Sequence, residues 1–129
     1  MASAPRFSWS HLALVVLGGT IGTAARAGLL LIDAPGWQAF AVPAINLIGA
    51  LLLGLVTGLL MHRGQAPAVG AARLFFGTGV LGGFTTYSAF AVQSVQGAAV
   101  WLTIATAVAG VLAAMLGLAL GRLMAGARR

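Results

Sequence analysis

The side chains able to do chemistry here are few, and the informative ones sit inside long apolar runs. Asn46 offers two N–H donors, enough to hold a dehydrated ion. The same amide can instead bond a neighbouring helix, worth about 0.6–2 kcal/mol in a membrane. Both roles stay open on sequence. Arg26 lies four residues past Gly22 and eight past Gly18, on the same helical stripe. It either snorkels from near the end of its span or supplies a buried positive potential that draws an anion.

The strongest signal is the stretch Gly77-Thr78-Gly79-Val80-Leu81-Gly82-Gly83-Phe84-Thr85-Thr86-Tyr87-Ser88-Ala89-Phe90. Two glycines followed by two β-branched threonines are poor helix material, glycine being about 1 kcal/mol worse than alanine. A break is therefore expected over the stretch from Gly82-Gly83 to Thr85-Thr86, Thr85 falling at the middle of its span. Backbone freed within a membrane is tolerated only where protein encloses it or a cavity meets it, and such carbonyls can coordinate a cation. The alternative is a simple kink, relieved by hydroxyl-to-backbone bonds from Thr85, Thr86 and Ser88. Tyr87 and Phe90 are three apart and project from one helical face. Their ring edges are positive and can hold a small hard anion, although aromatic pairs at this spacing also serve as ordinary core.

Absences narrow the classes. The chain has one acid, Asp33, in a turn, so a proton-coupled exporter lacks the intramembrane carboxylate it would use as a relay. His11 and His62 fall at the ends of apolar runs with no further metal ligands beside them. No nucleophile-and-base set exists, so catalytic residues are not expected and neither is an enzyme. The seven basic residues, all arginine, stand singly at run ends with no basic stripe, which argues against nucleic-acid binding. There is no cysteine, so thiol chemistry is excluded.

The elements that position these groups follow from composition. Of the 129 residues 60% are hydrophobic and only 6% charged, with a mean hydropathy of +1.05. A soluble surface usually carries about a quarter charged residues, so lipid is the solvent for most of this one. About 20 apolar residues cross a bilayer core as a helix. Four spans meet that length, at about 12–32, 40–61, 74–96 and 98–120, the last two divided by the polar cluster Gln93-Ser94-Val95-Gln96-Gly97. Asp33-Ala34-Pro35-Gly36-Trp37 reads as a turn and residues 62–70 as a polar loop. The N-terminus has the outline of a signal peptide, but its apolar run continues to Ile32, spanning length, so a first helix is expected. A single four-helix transmembrane domain over residues 1–129 results. Small residues four apart (Gly18 and Gly22, Gly54 and Gly58, Gly79 and Gly83, then Ala113, Gly117 and Gly121) allow close helix approach.

Three segments resemble motifs of the CrcB/Fluc fluoride channels, in order and over nearly the whole chain. Gly18-Gly19-Thr20-Ile21-Gly22-Thr23-Ala24-Ala25-Arg26 is similar to the first-helix motif and Asn46-Leu47-Ile48-Gly49-Ala50 to the second. Gly82-Gly83-Phe84-Thr85-Thr86-Tyr87-Ser88-Ala89-Phe90 resembles the broken third helix. The resemblance implies an all-α membrane protein, its third helix broken near the midplane, in an antiparallel dimer. It implies a structural Na⁺ on the dimer axis, held by main-chain carbonyls of Gly82 and Thr85 from both subunits. Fluoride would pass Asn46, Tyr87, Phe90 and Ser88, with Arg26 in a vestibule or structural role. The implied activity is passive, fluoride-selective export from the cytoplasm. Tyr87 departs from the phenylalanine common at that position, which bears on rate.

Arg6, Arg63, Arg73, Arg122, Arg128 and Arg129 share one side of a four-span chain, and Arg26 alone lies toward the other. The positive-inside rule then predicts cytoplasmic termini in a multi-pass protein of the cell membrane. Such a bias favours one-way insertion, so the partner is either a second copy or an oppositely oriented paralogue. A small coupled multidrug-type exporter and a non-conducting scaffold are the competing classes.

Overall fold

The computed structural model describes residues 8–88, 91 and 100–127. Helix α1 is Trp9–Leu30 and α2 is Trp37–Met61. Helix α3 covers 67–84 in three consecutive parts: an α-helical Pro67–Ala72, a π-helical Arg73–Leu81 and an α-helical Gly82–Phe84. Helix α4 is Val100–Gly126. No strand occurs among the described residues. Among the described residues three stretches are long and apolar enough to cross a membrane, namely Trp9–Leu30, Trp37–Met61 and Thr103–Gly126. Of the expected third span at 74–96, residues 89–90 and 92–96 lie outside the described residues, as do 98–99 of the fourth.

Local chemistry moves the helix ends away from the expected limits. Ser8 starts α1 early by accepting the His11 amide at 3.4 Å, satisfying one of the orphan donors of the first turn. Gly36, at φ 77°, takes the left-handed turn that a side chain resists and lets α2 begin at Trp37. The last carbonyls of α1 are then covered by α2: Trp37 Nε1 donates to Leu29 O at 2.7 Å, and Gln38 Nε2 to Leu30 O and Ile32 O, both at 3.1 Å. Pro67 opens α3 well before residue 74, because a proline in the first turn gives up no helical hydrogen bond. The polar loop shortens to 62–66 accordingly. At its far end α4 runs on past 120, through the exposed Arg122.

The helices pair as α1 with α3 and α2 with α4, and α2 also touches α3. Both pairings are made by small residues. A Cβ on Gly22 would fall on the Val80 carbonyl, and one on Gly79 would come within 2.9 Å of Gly18 Cα. In the second pair, a Cβ on Gly117 would fall on the Leu51 carbonyl, and one on Gly121 would lie 2.9 Å from Gly58 Cα. Backbone meets backbone along both seams, as expected where lipid removes the hydrophobic drive for helix association. Full burial is rare: Ala41 and Ile45 are 0% and 1% exposed, while large apolar side chains such as Val16, Phe40, Val111 and Leu116 face outward. Such a surface suits lipid or another apolar partner and not water.

Overfilling a seam should be destabilising. Gly22→Ala is expected to lower stability in detergent by about 1–3 kcal/mol, whereas Gly28→Ala, with nothing within 4 Å of its added Cβ, should be neutral or better. Thermal unfolding of the two variants beside the parent checks this.

Candidate functional site

Helical conformation in α3 stops at Phe84, not at the glycines. Gly82 is an ordinary right-handed helical residue (φ −64°, ψ −36°), and Thr85 is extended (φ −76°, ψ 156°). Tyr87 and Ser88 are helical again. The opening falls at the threonine end of the expected Gly82–Thr86 stretch. Propensity explains this placement only in part. Glycine tolerates a break but does not impose one, and Gly83 lies in the α1 seam, where an added Cβ would overlap the Gly19 carbonyl. Thr85 is β-branched and accepts extended backbone readily.

The extended conformation is held from α2. The Thr86 amide donates to Asn46 Oδ1 at 2.8 Å, and Asn46 Nδ2 donates to the Thr86 carbonyl at 3.0 Å. An amide bonded to an N–H on one side and a C=O on the other has its orientation settled. In a continuous helix the Thr86 amide would bond the Gly82 carbonyl four residues back. Asn46 takes that donor away. One turn along α2, Gly49 makes room for the same segment, since a Cβ there would overlap Thr85 Cγ2. Asn46 and Gly49 thus face the opened backbone together, three residues apart.

Hydroxyl groups complete the local bonding. Thr85 Oγ1 returns to the Leu81 carbonyl at 2.9 Å, beside the Thr85 amide at 3.0 Å. Thr86 Oγ1 instead pairs with Ser88 Oγ at 3.3 Å, and Thr23 Oγ1 of α1 donates to the Gly83 carbonyl at 3.4 Å. Of the hydroxyl-to-backbone bonds expected within this stretch, that of Thr85 is present. Thr86 is 7% exposed, the buried polar residue of the described core, and no buried side-chain polar atom of the described residues lacks a partner.

Beside this segment lies an open pocket of about 270 Å³, lined by Asn46, Leu47, Thr85, Thr86, Tyr87, Thr106, Ala107 and Gly110. Asn46 and Tyr87 from the candidate pathway set both reach it, and Tyr87 is 83% exposed in the single chain. Ser88 is exposed one residue beyond. Phe90 lies outside the described residues. Gly82 is exposed and an added Cβ there meets nothing within 4 Å. Arg26 is half-buried one turn beyond Gly22, apart from the pocket. Thr106 and Gly110 on α4 were not foreseen. Their spacing, with Thr103, does mark one helical face, 103, 106 and 110 being three and four apart.

Residues 13–122 match the family described as CrcB-like protein, Camphor Resistance (CrcB). The chain is 47% identical over 120 residues to the fluoride-specific ion channel FluC 2 of Leifsonia xyli subsp. xyli, covering 84% of this chain and 81% of that one. To the fluoride-specific ion channel FluC 1 of Rhodococcus jostii it is 44% identical over 117 residues, 84% of this chain and 83% of the relative. The fluoride-specific ion channel FluC of Novosphingobium aromaticivorans is 39% identical over 120 residues, 84% of this chain and 90% of that protein. With the three motif segments brought together at one opened helix, and with a family match spanning most of its length, this chain belongs to the CrcB family.

Proposed function

We propose that the chain is one subunit of a fluoride-selective channel that lets fluoride leave the cytoplasm passively and so lowers its toxicity. The observation that carries this is the Asn46–Thr86 pairing beside an open pocket, in a chain whose relatives are named fluoride-specific ion channels. Asn46 Nδ2 spends one N–H on Thr86 and has a second for an anion. The hydroxyls of Thr106 and Ser88 and the edges of Tyr87 and Phe90 extend the set of positive-edged or donating groups that a dehydrated fluoride requires. Outward movement is assisted by a negative interior, at about 2.3 kcal/mol per charge per 100 mV.

The assembly is an antiparallel dimer, its two-fold axis in the membrane plane and the break of the third spanning helix at the midplane. Support comes from the exposure of Gly82 and Tyr87, and from a pocket that one chain leaves open. A Na⁺ ion on that axis would be held by the main-chain carbonyls of Gly82 and Thr85 from two copies. The Gly82 carbonyl has its helical donor diverted to Asn46, and the extended Thr85 turns its carbonyl off the helix line. The ion would supply a fixed positive charge between the two copies. Arg26 serves the vestibule or holds the local fold. The arginine bias sets the termini in the cytoplasm and favours a partner of opposite orientation.

Purified protein in liposomes should release fluoride but not chloride, without a pH gradient. A coupled exporter would need the gradient, and a scaffold would release neither ion. Asn46→Asp should abolish flux by placing a carboxylate beside the Thr86 carbonyl; unchanged flux removes Asn46 from the pathway. Asn46→Ala strips partners from both Thr86 backbone groups and should lower stability by about 1–3 kcal/mol. Thermal unfolding equal to that of the parent would deny it the clamping role. Dimers made of this chain alone that conduct would exclude an obligatory paralogue.

A further inference from the structure

We infer that the C-terminal end of α2 is a binding site for the phosphate of an anionic membrane lipid. Two arginine side chains contact that end, and a third arginine follows it in sequence. Arg73 Nη2 donates to the Leu60 carbonyl at 2.9 Å, Arg122 Nη2 contacts Met61 Sδ at 3.2 Å, and Arg63 follows two residues after Met61. All three are exposed. The negative end of the α2 dipole and the Leu60 carbonyl that ends it account for part of this attraction. They do not account for Arg122, whose guanidinium donates to a thioether, among the weakest acceptors a protein has.

The three charges have no counter-ion within the sequence. Asp33 is its single acid, and it precedes α2. Helix α2 has 25 residues, so Asp33 is about 37 Å away at 1.5 Å per residue. That is several times the screening length of about 8 Å at physiological salt. No acidic side chain is near enough to compensate them, which leaves room for an anion from outside the chain. Guanidinium groups match phosphate oxygens with paired, charge-assisted bonds.

Position distinguishes a lipid from free phosphate. A helix of about 37 Å exceeds the 30 Å hydrocarbon core and ends at headgroup level. Apolar side chains stand exposed beside the guanidiniums: Met61 at 48%, Leu123 at 70% and Met124 at 46%. Charge at the headgroup with apolar surface beside it complements a phospholipid, whereas a soluble anion makes no use of the apolar part. Basic pockets between spanning helices on the cytoplasmic side bind anionic headgroups in this way.

Native mass spectrometry of the purified full chain, with phosphatidylglycerol or phosphatidylcholine added in detergent, tests the inference. The parent should retain phosphatidylglycerol in preference, and each Arg→Gln change at 63, 73 or 122 should weaken that retention about fivefold. Arg63→Gln is the safe variant for folding, since Arg63 meets the fold through its backbone N–H to Leu60 O at 3.3 Å. Equal retention of the two lipids by the parent overturns the site. So does an unchanged preference in Arg63→Gln and Arg122→Gln, or inorganic phosphate alone binding as tightly as the lipid. Fluoride efflux from the same preparations is a separate readout, so the two functions fail or stand independently.

Discussion

Every backbone amide removed from water needs a partner, and one pair of hydrogen bonds meets that need where α3 stops being helical. Asn46 accepts the Thr86 N–H and donates to the Thr86 C=O, replacing both bonds that a helix would have supplied. Without it, two hydrogen bonds to buried backbone groups would be lost, each worth about 0.5–1.5 kcal/mol net. The extended Thr85 is stable because a side chain from another helix stands in for helical bonding. The diversion has a second effect, since it leaves the Gly82 carbonyl without its usual donor.

The rest of the packing serves this arrangement. Gly49 clears space for Thr85, Gly19 and Thr23 of α1 meet Gly83, and the Gly18, Gly22 and Gly79 contacts bring α1 and α3 into backbone contact. Each of the three motif segments therefore supplies one wall of a single locus. The second seam, through Gly58, Gly117 and Gly121, sets α2 against α4 and so brings Thr106 and Asn46 to one pocket. Small residues do two jobs here: they substitute dispersion for the missing hydrophobic effect, and they hold the donors at fixed distances.

The arginines divide by partner. Arg73 closes the end of α2, while Arg63 and Arg122 surround it with charge that no acid in the chain offsets. Arg26 stands apart, one turn beyond the α1 seam.

Sequence alone determined the solvent, the helical class and the glycine stripes, because each follows from the length, apolarity and periodicity of a local run. It also marked Asn46 and the 82–90 stretch as misfits in lipid, since a polar group there is recognisable without knowing its neighbours. Tertiary structure decided where the helix gives way and what Asn46 does. Gly82 is the weaker helix former, yet the opening falls at Thr85, because the α1 seam holds Gly83 helical and the α2 amide captures Thr86. Thr106 was likewise invisible until α4 was laid against α2. Local propensity ranks the places where a helix can open, but a hydrogen-bond partner forty residues away in sequence selects one of them.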